Sequence, residues 1–264
     1  MNEAYETIAV EAVDEHRLVV RLNRPASANA LNTAMGLEMR DLFTEFYVEP
    51  GDVRCIVLTG AGEKAFCAGG DLKERNGMTD AAWQRQHAIF EQMTLAVVEC
   101  PIPIIAAVNG AAYGGGTELA LACDFIYAGK RARFALTEVT LGIMPGALGP
   151  QTLSRAAGVR RAKEAVLTGL PFGSEEALAW GVANRVCDDD ALLDEALATA
   201  ARIASNAPLA TRRAKRTMSI GSDIDLRSAF ALDLEAYNRL VPTEDRQEGV
   251  RAFNERRPAR FRGR

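Results

Sequence analysis

The chain is poor in the residues on which most metal and nucleophile chemistry is built. Its 264 residues include only two histidines, His16 and His87. HExxH is absent, which excludes a zincin, and the lack of GxSxG argues against a Ser-His-Asp hydrolase of the common type. The five cysteines (Cys55, Cys67, Cys100, Cys123, Cys187) are odd in number, widely spaced and without a CxxC pair. They read as buried thiols in a reducing cytoplasm, not as a disulfide framework or a zinc site. No apolar run approaches the roughly 20 residues of a membrane span. The opening Met-Asn-Glu-Ala-Tyr-Glu lacks the basic and apolar regions of a signal peptide. A basic excess is missing too: 31 Lys and Arg face 35 Asp and Glu, a formal charge of −4, which argues against a nucleic-acid binder. What is present is ordinary globular material, 48% hydrophobic and 25% charged, enough for one large domain or two modest ones.

The N-terminal half alternates strand and helix signals. Thr7–Val13 and Arg17–Leu22 read as strands. Asn32 is placed to cap a helix over Thr33–Tyr47, with Met35, Met39, Leu42, Phe43 and Phe46 on one stripe. Cys55–Leu58 and Ile104–Val108 are short continuous apolar runs, as expected of strands covered on both faces. Between them lie a Gly-rich loop from Gly60 to Asp71 and a long helix opened by Thr79 or Asp80. A helix over Glu118–Ala122 and a strand over Phe125–Ala128 follow. Beyond about residue 150 helical spacing dominates: Arg155–Thr168, Ser174–Trp180, Asp190–Asn206, Pro208–Ile220 and Asp225–Leu240, with one strand at Ala183–Cys187. This predicts an α/β core over 1–190 and a helical C-terminal segment over 191–264.

Two glycine clusters follow buried strands. Gly60-Ala61-Gly62-Glu63-Lys64-Ala65 formally fits a dinucleotide fingerprint, but Phe66 to Asp71 adds glycines where that motif must open a helix. No GK[ST] makes either cluster a P-loop. Singly, such glycines serve tight turns. Together, Ala68-Gly69-Gly70-Asp71 and Gly114-Gly115-Gly116 leave backbone N–H groups uncovered, the second at a helix start where the dipole favours negative charge. If the two converged on one oxygen they would form an oxyanion hole.

At these residues the chain resembles the crotonase (enoyl-CoA hydratase/isomerase) superfamily. The resemblance runs through Leu22-Asn23-Arg24-Pro25 with Asn29-Ala30-Leu31, Lys64 to Leu72, Asn109-Gly110, Gly114 to Ala120, Cys123-Asp124, Phe134 to Glu138, Leu141-Gly142 with Pro145-Gly146, and Glu248-Gly249 through Pro258. It covers nearly the whole chain in order. It implies a crotonase-like spiral of ββα units with a helical C-terminal trimerisation segment, assembled as a homotrimer or dimer of trimers. It implies an acyl-CoA thioester substrate whose enolate is stabilised by the backbone N–H groups of Gly70 and Gly115. No metal, redox group or other separate cofactor is implied, since coenzyme A enters with the substrate.

Hydratases of the family carry two glutamates, and the matching positions here are Glu118, as base toward water, and Glu138, as the acid that protonates C2. Both being filled favours enoyl-CoA hydration over Δ3,Δ2-isomerisation or another acyl-CoA lyase reaction. Around CoA the resemblance points to Arg24, Ala28, Ala68, Gly69 and Asp71. Read by themselves, Asp71 better suits a cap or turn acceptor for the next helix, and Arg24 equally suits a CoA phosphate contact or a solvated cation. Arg256, Arg257 and Arg260, in a tail with six arginines against one glutamate, could reach the nucleotide of CoA or simply be solvated.

Pro145 to Thr152 departs from the Gly-Gly-Thr-Gln-Arg run of many hydratases, and Leu148 is expected to add bulk to an acyl pocket lined by Trp83, His87 and Leu141. The C-terminal third looks most like the methylglutaconyl-CoA hydratase branch. RNA binding, known in relatives of that branch, is disfavoured: the helix over Thr33–Tyr47 sets Arg40 against Glu38, Asp41 and Glu45, which would repel phosphates.

Overall fold

A computed structural model describes residues 5–264. The chain begins with an antiparallel pair, β1 (Ile8–Ala12) and β2 (Arg17–Leu22), and α1 (Thr33–Val48) follows. The Asn32 side chain accepts from Met35 N and so starts α1. Glu38 on α1 accepts from the N–H groups of Thr7 and Ile8, tying the helix to β1. The apolar stripe from Met35 to Phe46 is buried as its spacing predicts.

Three turns of a repeating pattern come next. β3 (Cys55–Gly60) is followed by β4 (Ala65–Cys67), then by the single-turn α2 (Leu72–Arg75) and the long α3 (Asp80–Glu99). β5 (Ile104–Val108) is followed by β6 (Ala111–Tyr113) and α4 (Gly115–Ala122). β7 (Phe125–Gly129) is followed by β8 (Arg133–Ala135) and a 3-10 turn over Glu138–Leu141. After these come α5 (Gly149–Ala157), α6 (Val159–Thr168), β9 (Phe172–Gly173), α7 (Ser174–Ala179) and β10 (Arg185–Cys187).

Among the described residues the strands sort into two sheets. One has six, in the order β1-β2-β3-β5-β7-β10, parallel from β2 onward; the other has four, β4-β6-β8-β9. Each turn of the chain therefore lays one strand in the large sheet and one in the small sheet before its helix. That is the ββα spiral expected from the resemblance. The parallel strands β3 and β5 are buried along their whole length, because helices cover both faces. On one face lie α1 and α3, which approach closely: a Cβ on Gly36 would stand 2.8 Å from the Phe90 ring. On the other face lies α8 (Leu192–Ala204), whose Leu192, Ala196 and Ala200 pack on Val19, Val57, Ile105 and Tyr127. α8 thus belongs to the packing of the sheet although it lies beyond residue 190.

The last three helices are α9 (Pro208–Gly221), α10 (Leu226–Leu240) and α11 (Glu244–Asn254). α9 is pinned to the core by Lys215, which pairs with Asp124 at 2.7 Å and donates to the Ile102 carbonyl. α10 buries none of its residues.

Several expectations change. The predicted helix over Arg155–Thr168 is two helices, because Gly158 takes φ 81° between α5 and α6. The Gly60–Asp71 loop contains β4, and the small sheet as a whole went unread in the sequence. The helix after the triple glycine starts at Gly115, not at Glu118. α2 and α11 lie in stretches that carried no helix prediction.

Candidate active site

The small sheet brings the two glycine turns together. β4 and β6 are adjacent and parallel, so the turns that leave them emerge side by side. Leu31 fixes the first turn: its N–H donates to the Gly69 carbonyl and its own carbonyl accepts from Asp71 N, both at 2.8 Å. Gly70 lies between those bonds, and among the described residues no acceptor takes its N–H. In the second turn Gly114 has φ 52°, and Gly115 opens α4 with an N–H that has no intrahelical acceptor. A Cβ built on Gly115 would stand 4.0 Å from Gly70 N, and one on Gly69 only 3.3 Å from Gly115 N. The two amides are neighbours, as the resemblance requires. Both line a cavity of about 690 Å³ with Ala68 and Gly69.

Glu118 and Glu138 face the same cavity. Glu118, in the first turn of α4, is 4% exposed, and its Oε1 accepts from Ala147 N at 2.8 Å and Gly149 N at 2.9 Å. Burial pushes its carboxyl above the usual range, while those two N–H groups pull it back toward the charged form. Glu138 begins the 3-10 turn, and among the described residues its buried Oε2 has no hydrogen-bond partner. Burial, reinforced by the charge of Glu118 and opposed by Arg75, raises its pKa to about 7. One carboxyl is thus held by two donors and the other is buried with weaker support, so their proton affinities separate.

The raised Glu138 has a stability consequence. Its carboxyl releases its proton near 4.5 in the unfolded chain and only near 7 in the folded one. The native state binds the extra proton, so stability falls as pH rises through that window. Glu138→Gln removes the titration. The variant is expected to melt above the parent at pH 8, by about 2–4 °C per kcal/mol recovered, and to lose that advantage by pH 5. Thermal melts at the two pH values check this; a gain of equal size at both would show that the charge is not its source.

The other sequence candidates fall elsewhere. Asp71 caps α2, accepting from Lys73 N and Glu74 N, and pairs with Arg24 at 2.9 Å. Arg24 also donates to the Ala30 carbonyl. Ala28 adopts φ 51° and accepts from Ala68 N. Arg24, Ala28 and Asp71 do not line the cavity. Arg257 is held by Glu248 and Glu255 on the C-terminal side.

Trp83, His87 and Leu141 line the cavity, but Leu148 does not. The reason is local: the amides on either side of Leu148 both turn toward Glu118, and the residue between them takes φ 73°. Arg75 is among the lining residues that the sequence reading missed. The signal for it was the spacing of Trp83, Gln86 and Phe90, which puts an aromatic and amide face of α3 opposite α2.

The chain is similar to known proteins over nearly its whole length. The family model described as enoyl-CoA hydratase/isomerase matches residues 14–264. (E)-benzylidenesuccinyl-CoA hydratase of Thauera aromatica is 39% identical, covering 95% of this chain and 97% of the relative. Crotonyl-CoA hydratase of Syntrophomonas wolfei is 38% identical, covering 98% of each. A crystal structure of an enoyl-CoA hydratase from Bacillus anthracis superposes with a TM-score of 0.96 at 42% identity, covering 98% of this chain and all of that one. A match from residue 14 to the last residue, with relatives alike over their full length, leaves one conclusion: this chain belongs to the enoyl-CoA hydratase/isomerase family.

Proposed function

We propose that the chain is an enoyl-CoA hydratase, adding water reversibly to a 2-enoyl-CoA thioester to give a 3-hydroxyacyl-CoA. The observation that carries this reading is the pair of carboxyls with unlike surroundings facing one cavity beside two free amides. The thioester oxygen would sit between the N–H groups of Gly70 and Gly115. Ionised Glu118 takes a proton from water as the water oxygen bonds to C3. The C2–C3 π electrons move onto the thioester, and the two amides hold the enolate charge as it develops. Glu138 then gives its proton to C2 and the carbonyl reforms. The cycle leaves Glu118 protonated and Glu138 ionised, and a proton passing between them through solvent resets the pair. Coenzyme A is part of the substrate, and the reading needs no separate cofactor.

Similarity does not fix the acyl group, because relatives of nearly equal identity are named for different acids. The test is crotonyl-CoA: loss of the ultraviolet absorbance of the conjugated thioester, with the product identified as 3-hydroxybutyryl-CoA. An unchanged spectrum across short, branched and aromatic enoyl-CoA esters would end the hydratase reading, and a shifted double bond without added water would make the protein an isomerase.

A homotrimer, or two such trimers, belongs to the same proposal. On α10, Leu226, Phe230, Leu234, Tyr237 and Val241 recur at helical spacing, and all five are exposed. A stripe of this kind wants a partner surface, and light scattering should return the mass of three or six chains.

A further inference from the structure

One wall of the cavity carries a guanidinium that hydration does not use. Arg75 lies over the Trp83 ring at 4.3 Å and 5.5 Å from the Phe90 ring centre. Its Nε donates to Gln86 Oε1 at 2.8 Å. Gln86 is 3% exposed and is itself fixed, donating to Thr33 Oγ1 at 2.8 Å and Glu74 Oε2 at 2.7 Å. The side chain is thereby locked through its Nε and its two faces. Its terminal nitrogens are not: among the described residues neither Nη has an acceptor, and no carboxylate pairs with them. Nη1 is 3.1 Å from where a Cβ on Gly70 would stand, so the free end lies beside the thioester site.

A half-buried cation without an ion pair is costly unless something completes it. Burial works against the charge of Arg75, and Glu74 and Glu138 support it only at a distance. The same cavity is lined by Glu91, Glu118 and Glu138. Without Arg75 it would repel any anionic acyl group. With Arg75 it offers a planar fork of donors, preorganised by stacking, which is the geometry that a carboxylate accepts in bidentate fashion.

We propose that Arg75 determines acyl specificity by binding a carboxylate at the far end of the acyl group, so that the preferred substrates are 2-enoyl-CoA esters of short dicarboxylic acids. Its closeness to Gly70 limits the acyl chain to a few carbons. The proposal rests on the hydratase reading for its substrate class, but its test does not depend on turnover.

The probes are glutaryl-CoA and pentanoyl-CoA, saturated esters of equal carbon number, with dissociation constants measured by calorimetry on the full chain. The parent is expected to bind glutaryl-CoA about 10- to 100-fold more tightly, the range for hydrogen bonds to charged groups. In Arg75→Met the ratio of the two constants should fall to one or invert, since the carboxylate would then face Glu91, Glu118 and Glu138 alone. Arg75→Lys should keep part of the preference. The ratio cancels any general loss of binding, and the parent ratio stands without a variant. A parent that binds pentanoyl-CoA as well as glutaryl-CoA overturns the proposal, and so does a preference that survives Arg75→Met. Turnover of crotonyl-CoA without any acid preference would sink this inference and leave the hydratase reading intact.

Discussion

Glu118→Gln and Glu138→Gln are each expected to lower crotonyl-CoA hydration at least a hundredfold while CoA-ester binding persists. General acid or base catalysis by a positioned group typically contributes 10²–10⁴-fold, and both changes remove the proton transfer while sparing the geometry. In Glu118→Gln the amide oxygen can still accept from Ala147 N and Gly149 N. The 145–149 segment keeps its anchor, so the loss should fall on kcat more than on KM. In Glu138→Gln no hydrogen bond of Oε2 is lost, because that atom has none. The parent carries a further signature. A proton donor with a pKa near 7 runs out of its acid form above neutrality, so kcat for hydration should decline as pH rises past 7, and the Glu138→Gln variant should lack that limb. Steady-state rates across pH decide the matter: near-normal turnover in either variant removes that residue from the proposed mechanism.

The parts of this fold that were legible in the sequence are those whose signal is local. The α1 stripe needs only its own helical spacing, and β3 and β5 announce themselves as apolar runs. The small sheet is of another kind. Ala65–Cys67, Ala111–Tyr113 and Arg133–Ala135 have three residues each, too few for alternation to register. They are strands only because the spiral lays them side by side, a contact between segments tens of residues apart. Yet this sheet is what positions the site, since its parallel β4 and β6 deliver the two glycine turns. The glycines could be read as uncovered amides; their nearness could not, because Leu31 fixes the first turn from a distant part of the chain. Leu148 shows the converse error. Its type suggested pocket bulk, but its direction is dictated by the backbone on either side. Arg75 looks like one more solvated arginine until the aromatic face of α3 is set against it.

Gly115→Pro should test the amide at that position. Gly115 is the first residue of α4, where a proline is tolerated and its fixed φ suits the helix. The N–H it would delete serves no bond within the helix. Gly114 before it has ψ −125°, away from the helical region that a following proline disfavours. What proline adds is a ring: a Cβ, which would meet Leu31 Cδ1 at 3.2 Å, and a Cδ on the nitrogen where the hydrogen stood. Gly115→Ala adds the same Cβ and keeps the N–H, so it measures the crowding by the Cβ. An oxyanion-hole donor is worth about 10²–10³ in kcat. Gly115→Pro is therefore expected to turn over about that much more slowly than Gly115→Ala, with the two showing equal helix content by circular dichroism. The lost donor should weigh on kcat, because the enolate oxygen carries more charge than the ground-state carbonyl and loses more with the donor, while the ring Cδ in the place of the hydrogen should raise KM as well. Equal rates in the two variants would mean that the thioester oxygen does not bind at Gly115. The carboxyl pair would then have no fixed carbonyl to work against, and the proposed order of proton transfers would lose its electron sink.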